Sequence, residues 1–468
     1  MEGWQDQLAK HGQQHVLARY EQLDSEGRAR LRGQLESIDL AEIQRLWSAA
    51  EEQTDWESLS AKAEPPPAVR LAEQRDSEAQ RKAIAAGERE LRAGKVGMVL
   101  VAGGQGTRLG FDPPKGLFPI GPVSNASLFQ ILIERLRAVA ARYGCRIPLY
   151  VMTSSATHEE TIAFLEEQQR FGLPREDLHI FCQGAMPAVD AETGRLLFEA
   201  PDSLFLSPDG HGGMLRALER SGMLADMRER GVETLFYGQI DNPLLQVCDA
   251  ALLGHHLNHG SEMTTQVVAR RDPEERVGNV VSIEGQVRII EYIHLSPEAA
   301  NRTNPDGSLA LWAGNLAVHV FSVEFLNRAA HDETLLPFNR AHKKVPYLSE
   351  AGERVEPESP NAFKFERFIF DLLPSAARAL VVEADPAEAF APVKNAEGSP
   401  RDTPSQARAA ISSLHAKWLR EAGVETAEGI AVEISPLAAL DASEVPRLVA
   451  TRGVPHCIQE PTYFGPGE

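Results

Sequence analysis

Cysteine is scarce in this chain: four occur in 468 residues, Cys145, Cys182, Cys248 and Cys457. They lie far apart, with neither the paired spacing of a zinc site nor the density of a disulfide framework, which predicts a reducing, cytoplasmic setting. Long apolar runs are missing too. None approaches the ~20 residues of a membrane helix. The polar N-terminus MEGWQDQLAK has no signal-peptide core, so no leader is expected. Positive charge is also short: 47 Lys and Arg against 67 Asp and Glu leave a net charge of −20. That balance argues against nonspecific binding to nucleic acid or to an anionic membrane. An anionic small molecule would need a local basic pocket, because the overall field opposes it.

What is present is the composition of an ordinary globular protein. The length suits about three domain-sized units and a large core. The chain is organised around VGMVLVAGGQGTRLGFDPPKG, Val96 to Gly116. The apolar run Val96 to Val101 predicts a buried parallel strand. It leads into Ala102, Gly103, Gly104 and Gly106, then Arg108, then Lys115. Glycines let a backbone turn tightly and bring bare N–H groups against a ligand. The arginine and lysine add fixed positive charge. Together they suit a nucleoside triphosphate, with backbone donors for the phosphates and cations for their charge. The stretch is not a P-loop, since no Gly-Lys-Ser/Thr closes it. Nor is it a good dinucleotide fingerprint. Gly104-x-Gly106-x-x-x-Gly110 is one residue too long, and the strand Ile147 to Thr153 ends in Ser154-Ser155 without a ribose-binding acid. On pattern alone, a plain Gly-rich turn is the other reading.

In chain order, residues 1 to about 62 predict helices, with Leu8, Val16, Leu17, Leu23, Leu31, Leu35, Ile38, Leu40, Ile43, Leu46 and Trp47 at mostly helical spacing. A helical cap on the main domain is the expectation. The prolines of AEPPPAVR, Ala63 to Arg70, predict an extended linker. From Lys95, strands and helices alternate. Ser127 with Gln130 is a capping box, and Ile147 to Ser154 is a second strand. Thr157 with Glu160 is another box, opening a helix to Phe171. Leu178 to Gly184 is a third strand, Gly213 to Arg230 a helix, and Thr234 to Asp241 a fourth strand. This order predicts an α/β fold: a mostly parallel sheet with helices on both faces. Ligands of such sheets sit at the carboxyl ends of strands. The glycine loop, Gln183-Gly184 and Asp241-Asn242 occupy such ends. Asp241 is a natural Mg²⁺ ligand there, because magnesium takes one or two protein carboxylates and completes its shell with water and phosphate oxygens. A helix N-cap or turn aspartate is the alternative.

Further on, Met263 to Arg270 predicts a strand, and Asn279 to Ile293 a hairpin turning at Glu284-Gly285. His255 and His259 of HHLNH share a helix face, but no Glu stands between them in the zincin arrangement and no third ligand is evident. A solvated helix face is expected. Asn361 to Pro374 places Phe365, Phe368, Ile369 and Leu372 on one face and predicts a core helix. Ala379 to Asp385 is a strand, Pro404 to Ala422 a helix, and Gly429 to Ile434 a short strand. The expected boundaries are a helical segment with its linker over 1–90, a catalytic α/β domain over 91–395 and a small C-terminal domain over 396–468.

AGGQGTRLG followed at once by PPKG resembles the signature of the UDP-sugar pyrophosphorylases, most of all their UDP-N-acetylhexosamine branch. Later segments repeat the resemblance over most of residues 15–440. It implies a Rossmann-like, GT-A-like nucleotide-diphospho-sugar transferase fold. It also implies that UTP and a hexose 1-phosphate give UDP-sugar and pyrophosphate with Mg²⁺, the sugar phosphate oxygen being the nucleophile. No Ser–His–Asp or Cys–His arrangement is needed, and none is seen. By the same resemblance Ala102, Gly103, Gly104 and Lys115 meet the nucleotide, Gln183 and Gly210 read the uracil, and Lys364 takes nucleotide phosphates. Arg108 and Lys115 neutralise the triphosphate, and Asp241 meets nucleotide and metal. Glu291, Tyr292 and Asn315 hold the sugar, and Lys394 takes its phosphate.

Two positions depart from that branch. The turn SPDGHGG, which by the resemblance contacts uridine and sugar, carries His211 where the branch usually has asparagine; His211 is expected among the sugar-binding residues, donating to a phosphate or ribose oxygen or packing without charge, and glucose-specific relatives carry a similar Gly-His-Gly. Val318 also stands where asparagine is usual. N-acetylglucosamine 1-phosphate is thus the expected acceptor, with glucose 1-phosphate or broad specificity as the rival. A glycosyltransferase would commonly carry Asp-x-Asp, which is not evident. A catalytically silent sensor would have lost the charged residues. The sequence sets no oligomeric state.

Overall fold

The computed structural model describes residues 3–48, 55–75 and 77–467. Parts of the expected N-terminal helical stretch, 1–2 and 49–54, lie outside the described residues. The chain divides into two compact units. One gathers Met1–Asp55, Gln183–Ala217 and Asp332–Asp371, and the other Trp56–Cys182, Leu218–His331 and Leu372–Glu468.

The larger unit is built on a sheet of ten strands. In chain order they are β1 (Ala68–Val69), β2 (Val96–Val101), β3 (Leu149–Thr153), β4 (Leu178–Cys182), β5 (Thr234–Gln239), β6 (Met263–Ala269), β7 (Asn279–Ile283), β8 (Gln286–Ile290), β9 (Ala313–Ser322) and β10 (Ala379–Glu383). The spatial order is β1-β10-β6-β9-β5-β2-β3-β4, and the hairpin β7–β8 joins through Asn279 opposite Gly314. Only β9 in the main path runs antiparallel to its neighbours β5 and β6; the other pairs are parallel. β2 and β5 are continuous apolar runs because both faces of a parallel sheet are covered. Phe129, Leu132 and Leu136 of the helix Leu128–Tyr143 share a core with Leu100, Val151 and Phe236. Ser127 caps that helix by accepting the Gln130 N–H, while the Gln130 amide turns forward to Glu134. The Pro-rich segment is extended as expected. Glu64 exchanges backbone bonds with Ser282, and β1 lies beside β10.

Several elements differ from the sequence expectation, each for a local reason. Asn361 to Pro374 is not a core helix. Ala362–Glu366 is a strand paired with Asn339–Lys343, and Ile369–Ser375 is a 3₁₀ run. Ala-Phe-Lys-Phe-Glu alternates with period 2, and a strand partner made that period the effective one. Gly213 to Arg230 is two helices, Met214–Arg220 and Met223–Glu229, broken where Gly222 takes φ +76°. The helix expected from Thr157 to Phe171 covers only His158–Glu167, and Thr157 Oγ1 accepts from Ser154 N instead of capping it. The expected solvated face of HHLNH holds only at His259, which is exposed. His255 and His256 are each 3% exposed. The helix Ala250–Asn258 meets Glu78–Arg92 backbone to backbone: a Cβ on Gly254 would lie 1.6 Å from the Ala83 carbonyl oxygen. That approach buries His255 against Gln80 and leaves His256 bonded to Thr264.

In the smaller unit the helices Trp4–Lys10, Gln14–Tyr20, Ser25–Glu36 and Leu40–Ser48 bury Leu8, Val16, Leu31, Leu35 and Ile43. These side chains form one core with Val189, Leu196, Phe198 and Phe365. Among the described residues no helix is long and apolar enough to cross a membrane.

Candidate active site

β2 delivers the glycine loop to the carboxyl end of the sheet. The Ala102 N–H donates to the Met152 carbonyl, which keeps the chain in strand register until the loop begins. Ser154 Oγ then donates to the Gly103 carbonyl at 2.7 Å, and the Lys115 N–H to the Gly104 carbonyl at 3.0 Å. Both carbonyls are thereby turned into protein. The N–H groups of Gly103 and Gly104 donate to no group among the described residues. The glycines divide into two kinds. A Cβ on Gly116 would lie 2.1 Å from Phe129 Cε2, in the core, so Gly116 is required by packing. A Cβ on Gly104 would meet nothing within 4 Å. Packing within the protein therefore does not require a glycine at this position. Ser154 was not singled out from sequence; its place one residue past β3 was the only available signal.

Three cations converge here. The Lys115 ammonium is in electrostatic reach of Asp241, Lys394 and Arg108. Burial is the largest cause holding its pKa below the ordinary lysine value; Asp241 opposes the shift, while Lys394 and Arg108 add to it. Arg108 is exposed. None of the three forms an ion pair among the described residues. Asp241 follows β5 and is half-buried. Its carbonyl accepts the Val393 N–H at 2.8 Å, which lays the segment carrying Lys394 beside it. Burial raises the Asp402 carboxyl; Lys394 and Arg271 pull it down, and Asp241 and Glu275 push it up.

Glu291 and Asn315 are also brought together. A Cβ on Gly278 would lie 3.1 Å from Glu291 Oε1 and 3.8 Å from Asn315 Cβ. The Asn315 N–H donates to the Gly278 carbonyl at 2.8 Å. β9 bulges here: Gln266 faces Val318 while Val267 faces Asn315, and Ala317 takes φ +56°. Asn315 Oδ1 accepts from the Ala317 N–H and holds the bulge. Such bulges re-aim side chains at sites. Val318, by contrast, is 2% exposed in the central apolar core, so its departure from asparagine alters packing. Tyr292 is 43% exposed.

Gln183, Gly210, His211 and Lys364 belong to the smaller unit. The Asp-Gly-His-Gly-Gly turn folds onto the Arg367 backbone. Arg367 N–H donates to the Asp209 carbonyl, Gly212 N–H to the Arg367 carbonyl, and a Cβ on Gly210 would lie 2.4 Å from that oxygen. The Asp209 N–H donates to the Gly184 carbonyl beside Gln183. His211 packs against both Phe368 and Phe370, and its Nδ1 accepts the Ile369 N–H. Burial lowers its pKa to about 4, so the ring is neutral at pH 7 with its proton on Nε2. Lys364 Nζ sits 4.7 Å from the Phe205 ring centroid. Burial, foremost, lowers its pKa; Glu366 opposes this and Lys343 adds to it.

A mostly parallel sheet carries a bare glycine loop and, at its carboxyl ends, cations unpaired among the described residues, an arrangement that can hold the phosphates of a nucleotide. The sequence profile of the UTP–glucose-1-phosphate uridylyltransferase family matches residues 41–401. UDP-N-acetylglucosamine pyrophosphorylase of Saccharomyces cerevisiae is 37% identical over 349 residues, 73% of this chain and 73% of the yeast protein. UDP-N-acetylhexosamine pyrophosphorylase-like protein 1 of Mus musculus is 36% identical over 431 residues, 89% of this chain and 85% of the mouse protein. The crystal structure of the Trypanosoma brucei uridine diphosphate N-acetylglucosamine pyrophosphorylase with an inhibitor superposes with a TM-score of 0.84 at 26% identity, covering 99% of each chain. The chain therefore belongs to the UTP–glucose-1-phosphate uridylyltransferase family, and it is an enzyme of uridylyl transfer.

Proposed function

We propose that the enzyme joins UTP and N-acetylglucosamine 1-phosphate into UDP-N-acetylglucosamine and pyrophosphate. The observation that carries this reading is the trio Arg108, Lys115 and Lys394, unpaired among the described residues, with Asp241 and the other two cations in electrostatic reach of Lys115, in a chain of net charge −20. An oxygen of the sugar phosphate attacks the α-phosphorus of UTP in line. The bond from that phosphorus to the β-phosphate breaks, and pyrophosphate leaves with the electron pair. The nucleophile is already ionised at neutral pH, so the protein needs no base of its own. Its task is to hold two anions together. Lys394 neutralises the sugar phosphate, while Lys115 and Arg108 neutralise the triphosphate and the charge growing on pyrophosphate. The N–H groups of Gly103 and Gly104 donate to phosphate oxygens. Glu291 accepts from sugar hydroxyls and Asn315 donates its amide.

The residues fit magnesium. No group of three or more His, Cys, Asp or Glu able to hold a metal occurs among the described residues. That rules against an all-protein cage and suits an ion held mainly by phosphates. Asp241 would be its protein ligand, and the ion would supply charge neutralisation at the phosphate oxygens.

The relatives named for N-acetylglucosamine favour that acceptor. The Gly-His-Gly turn favours glucose 1-phosphate as the second reading. Pyrophosphate release with UTP, Mg²⁺ and a panel of sugar 1-phosphates separates them. Release with N-acetylglucosamine 1-phosphate alone supports the first. Release with glucose 1-phosphate moves the acceptor to the second. No release with any sugar, beside tight UTP binding, sinks the transferase reading for this chain.

A further inference from the structure

Asn242 follows Asp241, yet its side chain does not point toward solvent. The residue is 4% exposed. Its carboxamide is used up by backbone. Nδ2 donates to the Ala389 carbonyl at 2.7 Å, and Oδ1 accepts from the Ala391 N–H at 3.1 Å and from the Leu244 N–H at 3.3 Å. Next to these, the Asp241 carbonyl accepts the Val393 N–H at 2.8 Å. The segment 389–393 is thus fastened to Asp241-Asn242 by three bonds, two of them to one side chain. Lys394 is the next residue. On its other side, the Asp402 carbonyl accepts the Lys394 N–H at 2.8 Å and the Asn395 N–H at 3.1 Å. Lys394 therefore leaves a backbone held from both directions, and the Asn242 carboxamide sets its spacing from Asp241. No other side-chain type of this size offers a donor and an acceptor in the amide plane to match a strand-like pair of backbone groups.

We propose that Asn242 is a positioning residue for the transfer. It fixes the distance between the Asp241 carboxylate and the Lys394 ammonium, so that the metal-side charge and the sugar-phosphate charge are presented in one geometry. This rests on the reading that Lys394 neutralises the sugar phosphate. Misplacing a positioned group by about 1 Å can cost 10²-fold in rate, so loss of the clamp is expected to cost about 10- to 100-fold in turnover.

The test is a double-mutant cycle on the full-length enzyme. Asn242→Ala, Lys394→Ala and the pair are assayed for pyrophosphate release with UTP, Mg²⁺ and the best sugar 1-phosphate of the panel. UTP affinity is measured calorimetrically for each. The near-isosteric Asn242→Asp keeps the acceptor and removes the donor to Ala389, and it runs through the same cycle should the alanine variant fold poorly. The expected result is a fall for each single variant, with the pair no worse than Lys394→Ala and UTP affinity within twofold of the parent. Such non-additivity marks residues that act as one. If the losses multiply, Asn242 acts independently of Lys394 and the proposal is overturned, while the role of Lys394 stands. If Asn242→Ala weakens UTP binding as much as turnover, it contacts or shapes the nucleotide site, and the proposal is again overturned. If Lys394→Ala alone keeps near-normal turnover, the role of Lys394 fails and the clamp falls with it.

Discussion

Lys115→Ala should separate activity from stability. The Lys115 ammonium lies in electrostatic reach of one acid and two further cations. Burial, the largest cause, lowers its pKa, with Asp241 opposing and Lys394 and Arg108 adding to the effect. A base whose folded pKa lies below its unfolded value is a burden on the fold at neutral pH, where it must stay charged. Removing it is therefore expected to leave the melting temperature unchanged or to raise it. Turnover should behave in the opposite way. A unit charge ~5 Å from developing charge, at an effective dielectric of about 20, contributes about 3 kcal/mol. At 1.36 kcal/mol per decade this is about 10²-fold, and loss of one aimed donor in an oxyanion site costs a similar 10²–10³. The assay is steady-state pyrophosphate release at saturating UTP and sugar 1-phosphate, beside a thermal melt followed by circular dichroism. Lys115→Arg, which keeps the charge in a wider planar group, should recover part of the loss. Turnover within threefold of the parent, in a variant that melts normally, would refute the phosphate role. A melting temperature several degrees lower would refute the electrostatic account of the site.

Gly104 and Gly116 should respond oppositely to alanine: Gly116→Ala lowers the melting temperature, because its Cβ would overlap Phe129, while Gly104→Ala melts like the parent and loses UTP affinity. Asp241→Asn should shift the Mg²⁺ dependence of turnover to higher concentration, seen in a metal titration at fixed UTP. His211→Asn should leave turnover with N-acetylglucosamine 1-phosphate within a few-fold and change its ratio to glucose 1-phosphate in the panel assay. Acid should destabilise the fold: burial lowers His256 to about 4, and burial, with Arg135 adding, lowers His415 to about 3. Their unfolded values are near 6.5, so the contribution is complete above pH 6.5 and is lost as pH falls toward 4, by up to ~1.4 kcal/mol per group per pH unit; a His415→Gln variant should show a flatter decline in urea melts from pH 7 to 5.

Much of the layout of the candidate site was legible because it is local. The glycine loop, Arg108 and Lys115 follow one strand within 20 residues, so their grouping can be read without knowing the fold. The same holds for Asp241 at the end of β5 and for the hairpin turn at Glu284-Gly285, where both residues take positive φ. Where two periodicities coexisted, the sequence could not choose. Ala362–Glu366 carries an alternation and a helical stripe at once, and its pairing with Asn339–Lys343 decided the matter. His255 looked solvated because nothing local announces that Gly254 will let another helix touch the backbone.

By itself the sequence determined the α/β plan, the glycine loop at a strand end and the family, since each is written in contiguous residues whose backbone and charge act at short range. Only the tertiary structure decided the electrical state of His211, the burial of Val318 and the placing of Lys394 beside Asp241. Each of these depends on groups remote in the chain: the Phe368 and Phe370 rings that desolvate an imidazole, the core that closes over a valine, and the carboxamide of Asn242 that ties residues 389–393 to a strand end some 150 positions earlier.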